Sequence, residues 1–255
     1  FDGFHFRVGE LAGSSLGHQT IVDSFHNTLE LQHFHWGTDG DLNALGGGFE
    51  WVVDDLAAPS LMGGRVFVRP LYFVDHGSPL ARLAFGTSVV SDVHAPLKLA
   101  TTSTGRYAQE SDGNFKVARD EASTLVGIDV EYPLLPESSF TVTPYADFNL
   151  HIGRGHGVHV GTFLGWHGSA DLEFDGRAEL RWLGADYLPG YFGPLYTVER
   201  FSYRALTEGE QYYPKLQWLR YGAQEARAGH ITELGFGWGR LVDFRVNYAA
   251  DFDAP

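Results

Sequence analysis

The sequence predicts an all-β fold: an antiparallel transmembrane β-barrel that forms a single domain over residues 1–255, with about 10–12 strands at ~20–25 residues per strand and connection. Three observations predict it. Apolar and polar side chains alternate along many segments, as they do when successive side chains of a strand point to opposite faces. Several of these runs exceed the usual strand length of about 5–6 residues in soluble proteins. The composition includes 19 Phe, 12 Tyr and 6 Trp, which are residue types enriched in strands.

Alternation places the predicted strands in order along the chain. They are expected over residues 1–8, 29–36, 81–93, 124–132, 139–152, 169–182 and 241–248, with turn-rich connections at 10–17, 37–41, 46–48, 101–114 and 153–157. In the run over 139–152, most even-numbered residues are apolar and the odd-numbered residues are polar or aromatic with a hydroxyl. Such a strand has one apolar face and one polar face along its whole length.

The segment over 169–182 shows the sharpest alternation, because every odd-numbered residue from 171 to 181 is charged. Its Asp175-Gly176 pair is a common hairpin turn sequence. A two-residue hairpin would put Phe174 and Arg177 on one face and reverse the apolar register, and the register does not reverse. We therefore expect one continuous strand through this pair.

Charge and cysteine content exclude several classes of function. The 18 Lys and Arg residues against 32 Asp and Glu give a net charge of −14, so the chain lacks the basic footprint that a nucleic-acid partner requires. Without cysteine it has neither a disulfide framework nor a thiolate metal site. No run of about 18 apolar residues is present, which excludes a conventional transmembrane helix and leaves strands as the way to cross a bilayer.

A transmembrane barrel explains long strands with one apolar and one polar face, because lipid surrounds the outside and the interior is polar. Outer-membrane lipid is then the expected partner, with other envelope proteins as further candidates. The polar residues expected to line the lumen are Asp129, Glu131, Asp147, Asn149, His151, Asp171, Glu173, Asp175, Arg177, Glu179 and Arg181. The apolar residues expected to face lipid are Phe140, Val142, Phe148, Leu150, Leu172, Phe174, Leu180 and Trp182.

The glycine- and aromatic-rich alternating strands resemble those of Gram-negative outer-membrane β-barrel proteins. Three segments, YLPGYFGPLYTVERF at 187–201, GGRVFVRPL at 63–71 and SDVHAP at 91–96, are similar to segments of porin-like outer-membrane proteins of proteobacteria. The resemblance implies a place in the bacterial outer membrane and porin-like passage of small hydrophilic solutes or ions, with no cofactor. Barrels of this class usually finish on a strand with a terminal aromatic. The end at Phe252-Asp-Ala-Pro255 departs from this pattern, which raises two expectations: the barrel is truncated at the C-terminus, or the chain is part of a larger barrel.

A zinc enzyme is the alternative that Gln32-His-Phe-His-Trp-Gly37 raises, because this segment resembles the zinc-binding strand of α-class carbonic anhydrases. On that resemblance His33 and His35 would be two metal ligands on one strand face. The third histidine expected shortly downstream is missing, since residues 37–75 contain none. A second pair, His156 and His159, differs in parity and is expected to face opposite sides of a strand.

Three functions remain open at this point. The leading one is porin-like passage, and the second is a structural anchor for a multiprotein envelope complex, with the lumen closed by its own charged side chains. The third is a soluble all-β enzyme such as a carbonic-anhydrase-like zinc lyase. The chain has no nucleophile elbow, phosphate-binding loop or His-Glu-x-x-His motif. We therefore expect no enzymatic activity. Glu173 with Glu179, or Asp171 with Asp175, are candidate carboxylate pairs for glycoside hydrolysis, but we expect this row of alternating charged residues to line the lumen.

Overall fold

The described residues form an eleven-stranded antiparallel sheet and a separate two-stranded ribbon. The computed structural model describes residues 3–28, 34–44, 46–110, 115–135, 139–168, 171–205, 212–221, 225–239 and 241–252. The strands in chain order are β1 Gly3–Gly9, β2 Gly37–Ala44, β3 Gly47–Val53, β4 Leu61–Val68, β5 Ala84–Leu99, β6 Val117–Glu131, β7 Phe140–His151, β8 His156–His167, β9 Leu172–Leu183, β10 Arg204–Ala205, β11 Tyr212–Tyr213, β12 Arg227–Trp238 and β13 Val242–Phe252. The helices are α1 Tyr196–Glu199 and α2 Lys215–Tyr221, with 3₁₀ turns at Pro70–Phe73 and Pro79–Arg82.

Every sheet strand pairs with its neighbour in sequence, except that β10 and β11 form a separate two-stranded ribbon and β9 pairs directly with β12. The prediction of an all-β antiparallel fold with about 10–12 strands is confirmed. The sheet is open, however, because β1 and β13 are its two edges and do not pair with each other. In an antiparallel order of eleven, the first and last strands run in the same direction, so joining them would create the one parallel pair of the sheet.

Strand lengths fall into two groups. Strands β1 to β4 have 7 or 8 residues, whereas β7, β8, β9 and β12 have 12 and β5 has 16. The continuous strand expected over 169–182 is confirmed as β9 from Leu172 onward, and residues 169 and 170 lie outside the described residues. Asp175 pairs with Gly165 on β8 and with Gly235 on β12, so the Asp175-Gly176 pair is strand and not turn.

Two local predictions are wrong. The strand expected over 29–36 is absent at 34–36, which are irregular, while 29–33 lie outside the described residues. The turn expected at 37–41 is part of β2. The indole ring of Trp51 on β3 lies against Gly40, where an added Cβ would come within 2.5 Å of it. The side chain of Trp51 thus covers β2 at a position where β2 itself has no apolar side chain.

The two faces of the sheet have opposite surroundings. On the outward face, large apolar side chains stand in rows and remain exposed: Phe4 is 67% exposed, Ile128 63% and Phe244 60%. The inward face carries the charged residues, and several of those are almost fully buried. Burial therefore lies on the polar side, which is the reverse of a soluble two-layer protein, where the apolar face is covered.

Two long connections cover the inward face, and both leave the sheet from the end at which β1 finishes. We call the described parts that lie there inner segment 1 (residues 10–28) and inner segment 2 (residues 184–203). They contact each other through backbone hydrogen bonds, such as Gly190 N–H to Thr20 O at 2.8 Å and Phe192 N–H to Ile21 O at 3.1 Å. Their apolar side chains form the main core with inward residues of the strands; the buried members are Leu11, Leu16, Ile21, Val22, Phe25, Val52, Leu61, Val90, Leu125, Leu183, Tyr187, Leu188, Tyr191, Phe192, Tyr196 and Leu219.

None of the helices in the described part of the chain is both long and apolar enough to span a membrane.

Candidate functional site: charged clusters and a cleft on the inward face

The first charged cluster joins β3, β4 and β6 around Arg65. Its guanidinium donates to both carboxylate oxygens of Asp129, at 3.0 and 2.6 Å, and to Glu50 Oε1 at 2.6 Å. Strand β5 lies between β4 and β6, and the pair spans it because Gly86 has no side chain there: an added Cβ would lie 2.3 Å from Asp129 Oδ2. This bidentate geometry is the strongest form of an arginine–carboxylate contact.

His18 connects inner segment 1 to this cluster. Its Nε2 lies 3.0 Å from Glu131 Oε2, and its Nδ1 lies 3.6 Å from Asp147 Oδ2. The imidazole also stacks on the ring of Tyr145, with 4.3 Å between centroids and nearly parallel planes. Burial by itself would lower the pKa of His18, but the carboxylates of Asp147 and Glu131 outweigh burial and raise the pKa to about 9. His18 is thus a buried cation at neutral pH.

The second charged cluster joins β7, β8 and β9 around Glu179. This carboxylate accepts from Arg177 Nη2 at 2.7 Å and from the Tyr145 hydroxyl at 2.7 Å, and it lies 2.8 Å from His159 Nδ1. Arg177 also donates to Gln19 of inner segment 1 at 3.1 Å. All of the strand members are buried, and the contact from Arg177 to Gln19 ties inner segment 1 to the sheet.

His151 and Asn149 lie deeper, below inner segment 2. His151 Nε2 lies 3.0 Å from Ser123 Oγ, and both residues are 1% exposed. A serine–histidine contact is one requirement for nucleophilic catalysis. Here His151 Nδ1 has no hydrogen-bond partner to orient the ring, and the side-chain amide of Asn149 also has none, among the residues that the structure describes. With the serine inaccessible, the contact is structural.

The structure divides the predicted lumen row of β9 into two parts. Arg177 and Glu179 are buried, and Arg181 lies 3.4 Å from Asp251 of β13. Glu173 and Asp175 are exposed, because the inner segments do not reach their end of the sheet. Asp171 precedes the strand in a turn, with φ of 56°.

The residues expected to face lipid all lie on the outward face. The exposed fraction is 50% for Trp182, 48% for Leu180, and 40% for both Phe140 and Phe148. Leu150 is exposed as well, and Val142, Leu172 and Phe174 are partly exposed.

A cleft of about 450 Å³ lies on the inward face beyond inner segment 1, toward the end at which β1 begins. His18 and Phe163 line its deep side, and Asp41, Asn43 and Arg69 line the side formed by β2 and the end of β4. Arg69 donates to Asn43 Oδ1 at 3.0 Å and stands 4.9 Å from the centroid of Phe67. The cleft is polar, with aromatic rings at its wall, so it can accept a small hydrophilic molecule.

The zinc alternative has no geometric support among the described residues. His35 Nδ1 lies 3.0 Å from Asp55 Oδ2 on the surface, and His33 lies outside the described residues. No group of three or more histidine and acidic side chains that could hold a metal ion occurs in the part of the chain that is described. His156 is exposed and His159 is fully buried, so the expectation that they face opposite sides is confirmed.

Several residues of these clusters were not predicted as site residues, namely His18, Arg65, Arg69, Tyr145 and His159. Arg65 and Arg69 lie in the GGRVFVRPL segment, and their odd parity with Phe67 was a usable signal for a shared face. His18 had no such signal. It belongs to a turn-rich connection, and its contacts to Glu131 and Asp147 span more than 110 residues.

Comparison with known proteins adds no relative. A scan against protein-family models, a search of the curated proteins and a search of the solved structures each found no match to this chain. Function must therefore be argued from the geometry described above.

Proposed function

We propose that this chain is a bacterial outer-membrane β-barrel protein with porin-like passage of small hydrophilic solutes or ions. One observation carries the proposal: the apolar face of the sheet is uncovered, while charged residues on the opposite face, namely Asp129, Asp147, Arg177 and Glu179, are buried. Rows of exposed Phe, Val, Leu and Trp run along the outward positions of β1, β5, β7, β9, β12 and β13. Soluble monomers rarely expose contiguous apolar patches above a few hundred Å².

Lipid is the solvent that fits this face. Burying a Val, Leu, Ile, Phe or Met side chain is worth about 1.5–3 kcal/mol, so leaving many of them in water is unfavourable. Strands of 11 or 12 residues, such as β9 and β13, also match the ~9–11 residues that a tilted strand needs to cross the hydrocarbon core. The short β1 to β4 do not reach this length on their own.

The route for solutes in this proposal is narrow. The two inner segments fill much of the inward face, so passage is restricted to small molecules that enter through the polar cleft and move past inner segment 1. Asp, Glu and their partners line this route, and the acidic excess of the chain, 32 against 18 basic residues, favours cations over simple anions.

Planar-bilayer recording of the purified full chain tests the proposal. We expect discrete conductance steps and, under a salt gradient, a reversal potential of the sign for cation preference. Absence of conductance in protein that is folded by circular dichroism would rule out passage, while the membrane assignment would stand.

A structural anchor is the second candidate, and the packed interior favours it. The charged clusters around Arg65 and Glu179 are satisfied by the protein's own groups and sealed by the inner segments. In the same preparation, a silent bilayer combined with a stoichiometric envelope protein that co-purifies after mild detergent extraction would favour the anchor over the porin.

A further inference from the structure

The cleft contains two charged side chains that lack a close partner of opposite charge. Its other charged lining residues are paired: Asp39 with Arg7 at 2.6 Å, Glu50 with Arg65 at 2.6 Å, and Glu131 with His18 at 3.0 Å. Arg69 has no carboxylate within 4.0 Å among the described residues, and Asn43 is the one side-chain acceptor that its guanidinium contacts. Guanidinium has five donors, so most of those on Arg69 have no hydrogen-bond partner in the part of the chain that the structure describes.

Asp41 is the complementary unmatched group. Among the described residues, the basic side chain paired with it is the imidazole of His5, at a long 3.9 Å, and half of the Asp41 side chain is exposed to the cleft and solvent. Asp41 and Asn43 lie two residues apart on β2, hence on the same face and about 7 Å apart along the strand. Because Asn43 holds Arg69, the unmatched negative and positive charges are separated by roughly this distance or more.

We propose that this cleft binds short zwitterionic peptides, with the terminal carboxylate on Arg69 and the terminal ammonium on Asp41. An extended chain covers about 3.3–3.6 Å per residue, so the termini of a dipeptide are separated by a distance close to the spacing of the two groups. Arginine offers a planar fork that matches a carboxylate bidentately. Phosphate dianions fit less well, since Asp39, Glu50 and Glu131 also line the cleft and would repel a second negative charge.

The position of the Arg69 guanidinium supports a binding role. The side chain is held by the amide of Asn43 and by the ring of Phe67, so its orientation is set before a ligand arrives. Arg65, which also stands 4.9 Å from the centroid of this ring, already donates three hydrogen bonds to Asp129 and Glu50. The inference rests on the proposed function in that the peptide is the solute admitted to the interior. Binding itself does not require an open path.

The test is isothermal titration calorimetry of the detergent-solubilised full chain with three matched probes. Alanyl-alanine carries both charges, N-acetyl-alanyl-alanine only the carboxylate, and alanyl-alanine amide only the ammonium. We expect alanyl-alanine to bind about tenfold or more tightly than either blocked form, since a hydrogen bond to a charged group is worth about 1.5–3 kcal/mol. Equal binding of all three probes, or none, would overturn the proposal.

Two variants separate the roles of the charged groups. Arg69→Gln should weaken the binding of alanyl-alanine about tenfold, so that it binds no more tightly than alanyl-alanine amide. Asp41→Asn should make alanyl-alanine bind no more tightly than N-acetyl-alanyl-alanine. Arg106→Gln removes the same charge from the exposed hairpin at the other end of the sheet and should change neither. If Arg106→Gln weakens binding as much as Arg69→Gln, the effect is one of net charge and the assignment to the cleft is wrong.

Binding and conductance test different proposals. If the protein binds alanyl-alanine but shows no conductance, the pore proposal is wrong and the peptide site stands. If it shows conductance but no binding, the peptide site is wrong and the pore proposal stands.

Discussion

At the scale of single residues, the interior is organised by charges that are buried and paired. Removing one partner of a buried ion pair leaves the other uncompensated, at a cost of roughly 3–5 kcal/mol. Glu179, with Arg177, Tyr145 and His159 around it, and Asp129, with Arg65, are the clearest cases. These groups fix the position at which the inner segments pack against the sheet. Inner segment 1 is held to them by two contacts: Arg177 donates to Gln19 at 3.1 Å, and His18 Nε2 lies 3.0 Å from Glu131 Oε2.

His18 should make stability depend on pH. Its pKa is about 9 in the folded protein, against the ordinary value of about 6.5. A raised folded-state pKa stabilises fully below pH 6.5, and this contribution is lost as pH rises through about 9. From that difference we expect the free energy of unfolding to fall by up to about 3 kcal/mol between pH 6.5 and 9.5, measured by urea titration in detergent.

The His18→Gln variant should be less stable than the parent at pH 6.5 and should lose most of this slope. His94→Gln is the matched control, because His94 is exposed and pairs with Asp120 on the surface. It should keep the slope of the parent. An unchanged slope in His18→Gln would show that other groups account for the pH dependence.

At the scale of elements, β9 shows how one strand can serve two environments. Its inward residues Arg177 and Glu179 join the buried cluster, while Leu180 and Trp182 on the opposite face remain exposed. The neighbours β8 and β12 continue both faces in register, as Leu180 pairs with Val160 and His230. A shift of one residue would exchange the faces, so the pattern strongly specifies the pairing.

Leu180→Arg distinguishes lipid from water on the outward face. In water, a substitution at an exposed position usually changes stability by less than ~0.5 kcal/mol. In a bilayer, arginine on the lipid face costs about 2–4 kcal/mol near the midplane. We expect Leu180→Arg to reduce the yield of folded protein in phosphatidylcholine vesicles severely, as measured by circular dichroism and protease protection.

The control for this substitution lies in the turn between β12 and β13. Leu241 is 78% exposed and precedes β13, where arginine stays at the aqueous boundary. Leu241→Arg should fold into vesicles like the parent. Equal folding of both variants would show that the outward face of β9 does not contact lipid.

At the scale of the whole molecule, the sheet is covered on its charged face, whereas a soluble sandwich covers its apolar face. Apolar residues of the inner segments form the core together with inward strand residues, and the outward apolar rows are left uncovered. The edges β1 and β13 run in the same direction, so closure by antiparallel pairing requires an odd number of further strands between them. This follows from strand direction alone.

Introduced cysteines can map the environment of each face, because the chain has none of its own. Along β9 in vesicles we expect three classes. Outward positions 174, 180 and 182 should react with a lipid-soluble maleimide, inward positions 177 and 179 with neither reagent until unfolding, and exposed positions 173 and 175 with a charged, water-soluble one. Reaction of the outward positions with the charged reagent in sealed vesicles would contradict the membrane proposal.

Much of the sheet could be predicted from local pattern, but not all of it. Long runs such as β7 and β9 alternate strictly, so their existence and facing follow from the sequence. Strands β2, β3, β4, β8 and β12 were not predicted, because glycines interrupt their alternation and neighbours fill the space, as Trp51 does over Gly40. The predicted lumen residues that lie on strands share the inward face, whereas Asp171 lies in the turn before β9. Which of them would contact each other could not be predicted from a one-dimensional pattern.

The sequence alone therefore determined the β class, the long strands and the separation of apolar from charged residues onto two faces. Those properties depend on residues one or two positions apart, where strand geometry is fixed. Only the tertiary structure decided which face is covered, since covering it requires residues 10–28 and 184–203 to meet across more than 150 positions of chain. It also decided which charges of the cleft are paired, because their partners come from other strands or from inner segment 1, and it leaves Arg69 without a carboxylate partner among the described residues.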